Sequence, residues 1–350
     1  MSPLIPTPDT LPAAWGWFQF LLLLTLPFHL LAMNAMVGSA GLALYARFRT
    51  DEPSRRLAHE LAKILPFLVA FTVNFGVAPL LFNQVLYGHF LYVSSILMAV
   101  FWLAVIPLLI LAYYALYLYD FRFNSLGKAG TIFLALSLLI FFVIAFIYTN
   151  NMTLMLLPAQ WVNYFHNASG TLLNLSDPTL VARYLHFMIG ALAVGGLFVA
   201  LFGKWREPRD KAMADIAVRM GMQTFTWLTL VQILVGLWFL MALPKKIMLI
   251  FMGGDTLATL IFLLGLILAL VVLVTGLKKK VYLTAGLAVT LVFLMSFLRA
   301  FVRMGFHEPY FSVRSLGVVP QHSPMWIFFL TLVAGLLCIA WMVKKAVEIR

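Results

Sequence analysis

Residues 17–44 read WFQFLLLLTLPFHLLAMNAMVGSAGLAL, without a single Asp, Glu, Lys or Arg. About twenty consecutive apolar residues are enough to cross the hydrocarbon core of a bilayer as an α-helix. This stretch therefore predicts a membrane-spanning helix, and His29 is its one ionisable side chain.

The rest of the chain repeats this pattern. The composition is 63% hydrophobic and 10% charged, and the mean hydropathy is +1.01. Nine apolar runs are long enough to span, at 15–46, 64–87, 92–119, 129–150, 179–202, 221–243, 256–277, 282–304 and 325–343. Because these runs and short loops use nearly all 350 residues, we predict an all-α fold. It is a polytopic membrane helix bundle of about nine transmembrane helices, forming a single domain over 1–350.

The basic residues predict the orientation of this bundle. Lys and Arg concentrate in cytoplasmic loops, and one alternating set of loops holds most of the 24. The other set has only Arg183, Lys245, Lys246, Arg299, Arg303 and Arg314. We therefore predict an outside N-terminus, a cytoplasmic C-terminus and a cytoplasmic (inner) membrane location. Because the net charge of +12 is explained by these loops, we predict no nucleic-acid partner.

Histidine placement suggests the chemistry. His29 and His186 both fall within apolar runs, where ionisable residues are costly and usually functional. Imidazole is a common metal and haem ligand, although a hydrogen bond to a neighbouring helix would also explain either residue. The single Cys338 excludes an intramolecular disulfide, a Cys-based iron–sulfur cluster and covalent haem attachment through CxxCH.

Other side chains could complete a haem site. Arg299 and Arg303 are four residues apart and share a helix face, where they could bind two haem propionates or simply extend to the membrane surface. Met252 is the only methionine that we consider as a ligand. Gly190, Gly195 and Gly196 could admit a flat macrocycle, but plain helix packing is the simpler interpretation.

The predicted outer side carries further features. His89, His166, His307 and His322 gather there, and we expect them to be surface residues. Segment 151–178 is aromatic and nearly uncharged. We expect it to lie along the interface, anchored by Trp161 and Tyr164.

Several of these stretches resemble subunit I of the cytochrome bd quinol oxidase superfamily. The opening helix, with its QF pair before His29, is similar to the family's first helix. VNFGVAPLLFNQVLYG (73–88) is similar to its second helix. The segments FIYTNNMTLMLLPAQW (146–161) and LSDPTLVARYLHFMIGALAVGG (175–196) resemble its N-x-x-M-x-x-P segment and the following helix with R-x-x-H. The resemblance implies that His29 and His186 are haem ligands.

The chain also departs from the family pattern. The region matching the family's third helix lacks its two glutamates, the long quinol-binding loop is reduced to PKKIMLIFMGGD (244–255), and Arg299 or a neighbour stands where a late glutamate ligand would fall. These differences argue against oxygen reduction and the usual quinol site.

We therefore predict a haem-b-binding electron-transfer subunit with one to three haems. Its expected partners are other membrane subunits and a c-type cytochrome on the outer face, and quinone binding is left open. The alternatives are a terminal oxygen reductase and a cofactor-free membrane anchor. A transporter is a weaker alternative, because no inverted repeat is visible.

Overall fold

The computed structural model describes residues 4–348. Within that range there are ten α-helices, joined by short turns except for longer connections after residues 156 and 307, and none of the residues forms a β-strand. The helices are α1 Trp15–Phe48, α2 Glu52–Leu97, α3 Ala99–Phe121, α4 Thr131–Leu156, α5 Pro178–Arg206, α6 Lys211–Ala242, α7 Lys245–Leu249, α8 Thr256–Leu277, α9 Val281–His307 and α10 His322–Glu348.

Nine of these helices, all except α7, are long and apolar enough to cross a membrane. The predicted number of spans and the all-α class are thus confirmed over the described part of the chain. Which side each end faces stays a prediction. Most helices extend beyond the apolar runs, because the amphipathic ends of a helix continue into the polar region of the bilayer. The predicted start of the third span is wrong: residues 92–97 complete α2, and α3 begins at Ala99.

The polar ends of the helices are defined by aspartates. Asp51, Asp177, Asp210 and Asp255 are the N-caps of α2, α5, α6 and α8. Each carboxylate accepts a hydrogen bond from a first-turn backbone N–H, for example from Thr179 to Asp177 at 2.9 Å. Such caps satisfy donors that have no partner within the helix. Four of the few acidic residues are therefore accounted for by helix initiation.

α2 is the longest helix and changes direction near its end. At 46 residues it would be about 70 Å long if straight, well beyond the roughly 30 Å hydrocarbon core. Tyr87 has non-helical torsion angles (φ −133°, ψ 23°), so the helix kinks there. The kink brings Tyr87 and Phe90 against the end of α9.

Segment 151–178 differs from its prediction. Its first part completes α4, and residues Pro158–Phe165 form a 3-10 helix. Trp161 is buried, and its indole N–H donates to the carbonyl oxygen of Leu154 at 2.9 Å. The prediction that Trp161 is an interfacial anchor is therefore wrong, since its buried ring packs against Phe90, with ring centroids 6.0 Å apart. Tyr164 is exposed.

Close contacts between small residues bring the central helices together. α1 packs against α2 and α5, and α5 packs against α6. A Cβ atom added to Gly38 of α1 would overlap the backbone of Gly195 on α5, and one added to Gly221 of α6 would overlap Gly196. The glycines of the 190–196 stretch thus serve helix packing at 195 and 196, as helices in membranes commonly do.

We expect Gly38→Ala to lower the free energy of unfolding by about 1–3 kcal/mol, because the added methyl group forces α1 away from α5. The measurement is the thermal unfolding midpoint of the purified protein in detergent. Gly286→Ala is the matched control: a Cβ atom at this position would meet nothing within 4 Å, and Ala favours a helix by up to about 1 kcal/mol. Equal midpoints for the two variants would contradict the packing described here.

Candidate functional site

A cavity of about 270 Å³ lies between α5, α6, α8 and α9, with α1 on one side. Most of its wall is apolar. The polar side chains on the wall are Asn34, Arg183, His186, Thr229, Gln232, Ser296 and Arg299. Two of the residues predicted from the sequence, His186 and Arg299, therefore line one cavity.

His186 is held by α6. Its ring Nδ1 lies 3.0 Å from Nε2 of Gln232, and the same Nε2 lies 2.8 Å from the backbone carbonyl oxygen of His186. The imidazole stacks on Phe239, with ring centroids 6.1 Å apart. The ring is thus positioned by one amide and one aromatic side chain, both from α6.

Arg183 is a site residue that the sequence analysis missed. It lies one turn before His186 on the same face of α5, and its side chain is buried. Its Cζ stands 4.9 Å from the Phe239 ring centroid, and its guanidinium donates to the Thr179 hydroxyl at 3.5 Å. The R-x-x-H spacing was the available signal, since residues three apart share a helix face.

Arg299 and Arg303 do lie on one helix, α9, but their surroundings differ. Arg299 lines the cavity, with its Cζ 6.0 Å from the Phe187 ring centroid. Arg303 is not among the lining residues. Its Cζ lies 4.8 Å from the ring centroid of Tyr87, at the kink of α2. Of the predicted arginine pair, only Arg299 therefore faces the cavity.

The charge of these arginines is not balanced within the described residues. No carboxylate there lies within 4.0 Å of a guanidinium nitrogen of Arg183, Arg299 or Arg303. Asp177 reaches Arg183 only through Thr179, whose hydroxyl donates to the Asp177 carboxylate at 2.9 Å. Unpaired charge within a membrane is costly. The cavity wall is therefore suited to an anionic ligand.

His29 lies outside this cavity, between α1 and α2. Its Nδ1 is 3.0 Å from the carbonyl oxygen of Thr72. A carbonyl oxygen only accepts, so Nδ1 carries the proton and Nε2 keeps its lone pair. Gly76 leaves room for the ring, since a Cβ there would lie 2.9 Å from its Cε1 and Nδ1 atoms. Metal-binding histidines commonly make this bond to a backbone carbonyl.

Met252 stands apart from both histidines. It lies in the segment Ile250–Gly254, is 54% exposed and does not line the cavity. We therefore leave Met252 out of the ligand set proposed below. Among the described residues, no group of three or more His, Cys, Asp or Glu side chains could hold a metal ion. Haem differs from a bare ion, because it requires only one or two axial ligands from the protein.

The outer histidines fall into two groups. His166 and His322 are exposed, as predicted. The surface prediction is wrong for His307, which is 1% exposed and stacks on Tyr87 with centroids 5.4 Å apart. His89 is also partly covered, packing 4.6 Å from Phe311. Aromatic residues near the kink of α2 and just beyond the end of α9 cover both rings. Hydropathy alone does not predict this burial, because it depends on which helices pack together.

Comparison with known proteins gives a structural likeness to a solved membrane protein. No protein-family model matches the chain, and no curated protein matches it. A chain in the structure of bd oxidase from Geobacillus thermodenitrificans is similar over 93% of this chain and 96% of that chain. The TM-score is 0.73 and the sequence identity is 13%. At this identity the likeness concerns the fold, and it confirms the prediction made from the sequence motifs. The chain has a cytochrome bd oxidase subunit-like fold.

Proposed function

We propose that this protein is a haem-b-binding membrane subunit of a respiratory electron-transfer complex. The observation that carries the proposal is the pair Arg183 and Arg299 on the wall of the cavity beside His186, without a carboxylate within 4.0 Å among the described residues. Haem b combines a large apolar macrocycle with two propionate carboxylates, which matches an apolar cavity with two arginines. The bd oxidase-like fold supports the same class of protein.

Each residue then has a defined role. His29 and His186 would bind the haem iron, and in His29 the hydrogen bond from Nδ1 to the Thr72 carbonyl oxygen leaves Nε2 free. Arg183 and Arg299 would hold the propionate carboxylates, while Arg303, whose Cζ lies 4.8 Å from the Tyr87 ring centroid, adds positive charge on the same helix as Arg299. The apolar wall excludes water. When bound, haem b supplies reversible one-electron chemistry, and the protein contributes the ligands and the dry, positively charged surroundings.

The proposed partners follow from the predicted orientation. Arg183, His186 and Arg299 lie in the half of the bundle that the sequence predicts to be outside. We therefore propose electron exchange with a c-type cytochrome or another subunit on the outer face of a bacterial or archaeal cytoplasmic membrane. Quinone binding is not part of this proposal.

The first prediction concerns haem content. We expect the purified protein to show a b-type α band in its reduced-minus-oxidised spectrum, and a pyridine haemochrome assay to give one to three haems b per chain. His29→Ala and His186→Ala should each lower that number, because each removes a proposed iron ligand.

His166→Ala is the matched control, since His166 is exposed, and it should keep the wild-type haem content. A wild-type protein without haem overturns the proposal and favours the cofactor-free anchor. A full haem content in both His29→Ala and His186→Ala would remove these two residues from the ligand set.

The second prediction concerns the arginines. We expect Arg299→Leu to weaken haem affinity about 10- to 100-fold, since hydrogen bonds to charged groups contribute roughly 1.5–3 kcal/mol. Arg299→Lys should recover part of the loss because it restores the charge. The measurement is haem titration of the haem-free protein. Arg314→Gln, at an exposed position, is the control. Equal affinities for Arg299→Leu and Arg314→Gln would show that Arg299 does not hold the ligand.

Oxygen reduction is the second candidate function, and the fold shared with a bd oxidase favours it. Against it, no acidic residue occurs between Glu60 and Asp120, so α3 lacks a carboxylate until its last turns. Proton delivery within a membrane usually uses Asp, Glu or His.

We expect the isolated complex to consume no oxygen when given a reduced c-type cytochrome or quinol, as measured with an oxygen electrode. Oxygen consumption that His29→Ala abolishes and His166→Ala leaves intact would make the protein an oxidase instead.

A further inference from the structure

We infer that the outward face of α2 around Asn74 binds a second copy of this chain, so that the protein forms a dimer in the membrane. Asn74 lies near the middle of α2 and inside the apolar run 64–87, on a surface that the proposed haem site does not use. The observation behind the inference is an amide that is exposed at the depth of the hydrocarbon core.

The Asn74 amide faces away from the rest of the chain. Its side chain is exposed, and so are Phe67 and Phe71 on the same side of the helix, at 66% and 55%. Nδ2 of Asn74 donates one hydrogen bond, to the carbonyl oxygen of Ala70 at 2.8 Å. The second N–H and Oδ1 have no partner among the described residues. Because water is not available inside a bilayer, polar groups there bind to other helices.

A groove lies beside this amide, between α2 and α3. Its volume is about 450 Å³, and it is lined by apolar side chains of both helices and by the polar side chains of Asn74, Tyr113 and Tyr114. On the other side of Asn74, Phe71 and Phe75 stack with ring centroids 5.9 Å apart and form a ridge. The face therefore presents a ridge and a groove, with the incompletely bonded amide between them.

A second copy of the chain is the occupant that this pattern fits. The amide has both a donor and an acceptor, so two Asn74 side chains can bond to each other, each Nδ2 donating to the Oδ1 of the other. A twofold axis along the bilayer normal places both amides at the same depth. The same axis brings the ridge of each copy against the groove of the other, since a twofold interface is self-complementary.

Thr290 on α9 is an exposed polar residue that needs no such partner. It also lies within an apolar run and is exposed, but its hydroxyl donates its single hydrogen to the carbonyl oxygen of Gly286 at 3.1 Å. Thr290 therefore uses its donor within its own helix, whereas Asn74 keeps one donor and one acceptor for a partner. The two residues form a matched pair for mutation.

The first test locates the interface by cross-linking. Cys338 is the single cysteine and is exposed, so Cys338→Ala gives a cysteine-free background. Into it we place Phe71→Cys or Ala78→Cys, which flank Asn74 on the same face of α2. Leu263→Cys is the control, because Leu263 is 49% exposed on α8. The membranes are oxidised with copper phenanthroline and separated by non-reducing electrophoresis.

We expect a covalent dimer of this chain in high yield from at least one of the α2 variants and not from Leu263→Cys, since a disulfide requires Cα atoms within about 7 Å. Equal yields from all three variants would overturn the inference. A disulfide to a different protein at position 71 or 78 would also overturn it, because another subunit would then cover this face.

The second test measures the dissociation constant of the dimer by light scattering of the purified protein in mild detergent. We expect Asn74→Leu to raise this constant about tenfold, because it removes both interhelical hydrogen bonds. Asn74→Gln should recover part of the loss, and Thr290→Leu should match the wild type. A monomeric wild type, or an unchanged constant in Asn74→Leu, would contradict the inference. Neither test involves haem, so the haem assay decides the proposed function separately.

Discussion

Every polar group inside a hydrocarbon layer must find its partner within the protein, and this constraint shapes the whole molecule. The backbone meets it by forming helices. Several hydroxyl groups meet it by donating to a carbonyl one turn earlier, as Thr72 does to Leu68 at 2.7 Å. Arg183 and Arg299 carry charges on the cavity wall that have no carboxylate within 4.0 Å in the described chain. Two such charges on one wall make the site recognisable.

Helix packing determines where this site lies. Gly38 and Gly195 let α1 and α5 approach to backbone contact, which places Asn34 of α1 on the cavity wall beside α5. α6 packs closely against α5 at Gly196 and Gly221. This close packing places Gln232 of α6 against His186 of α5. The polar groups of the cavity thus come from distant parts of the chain, and small residues set the distances between them.

The two intramembrane histidines show how much the surroundings matter. Both occur within long apolar runs of the sequence. In the structure, His29 faces a backbone carbonyl and His186 faces a side-chain amide. A carbonyl accepts only, whereas an amide both donates and accepts. The two rings therefore differ in the kind of partner that Nδ1 meets, which the sequence analysis could not distinguish.

The amino-acid order was sufficient to predict the all-α class, the nine spans and the bd oxidase-like fold, because hydropathy and motif order are local properties. It also proposed His29, His186, Met252, Arg299 and Arg303 as site residues, of which His186 and Arg299 line the cavity. It did not find Arg183 or Gln232, and it misplaced Trp161 and His307. These points required the folded arrangement of the helices. Burial and partner choice depend on which helix faces which, and residues 46 positions apart in the sequence, such as His186 and Gln232, meet only after α5 and α6 have packed.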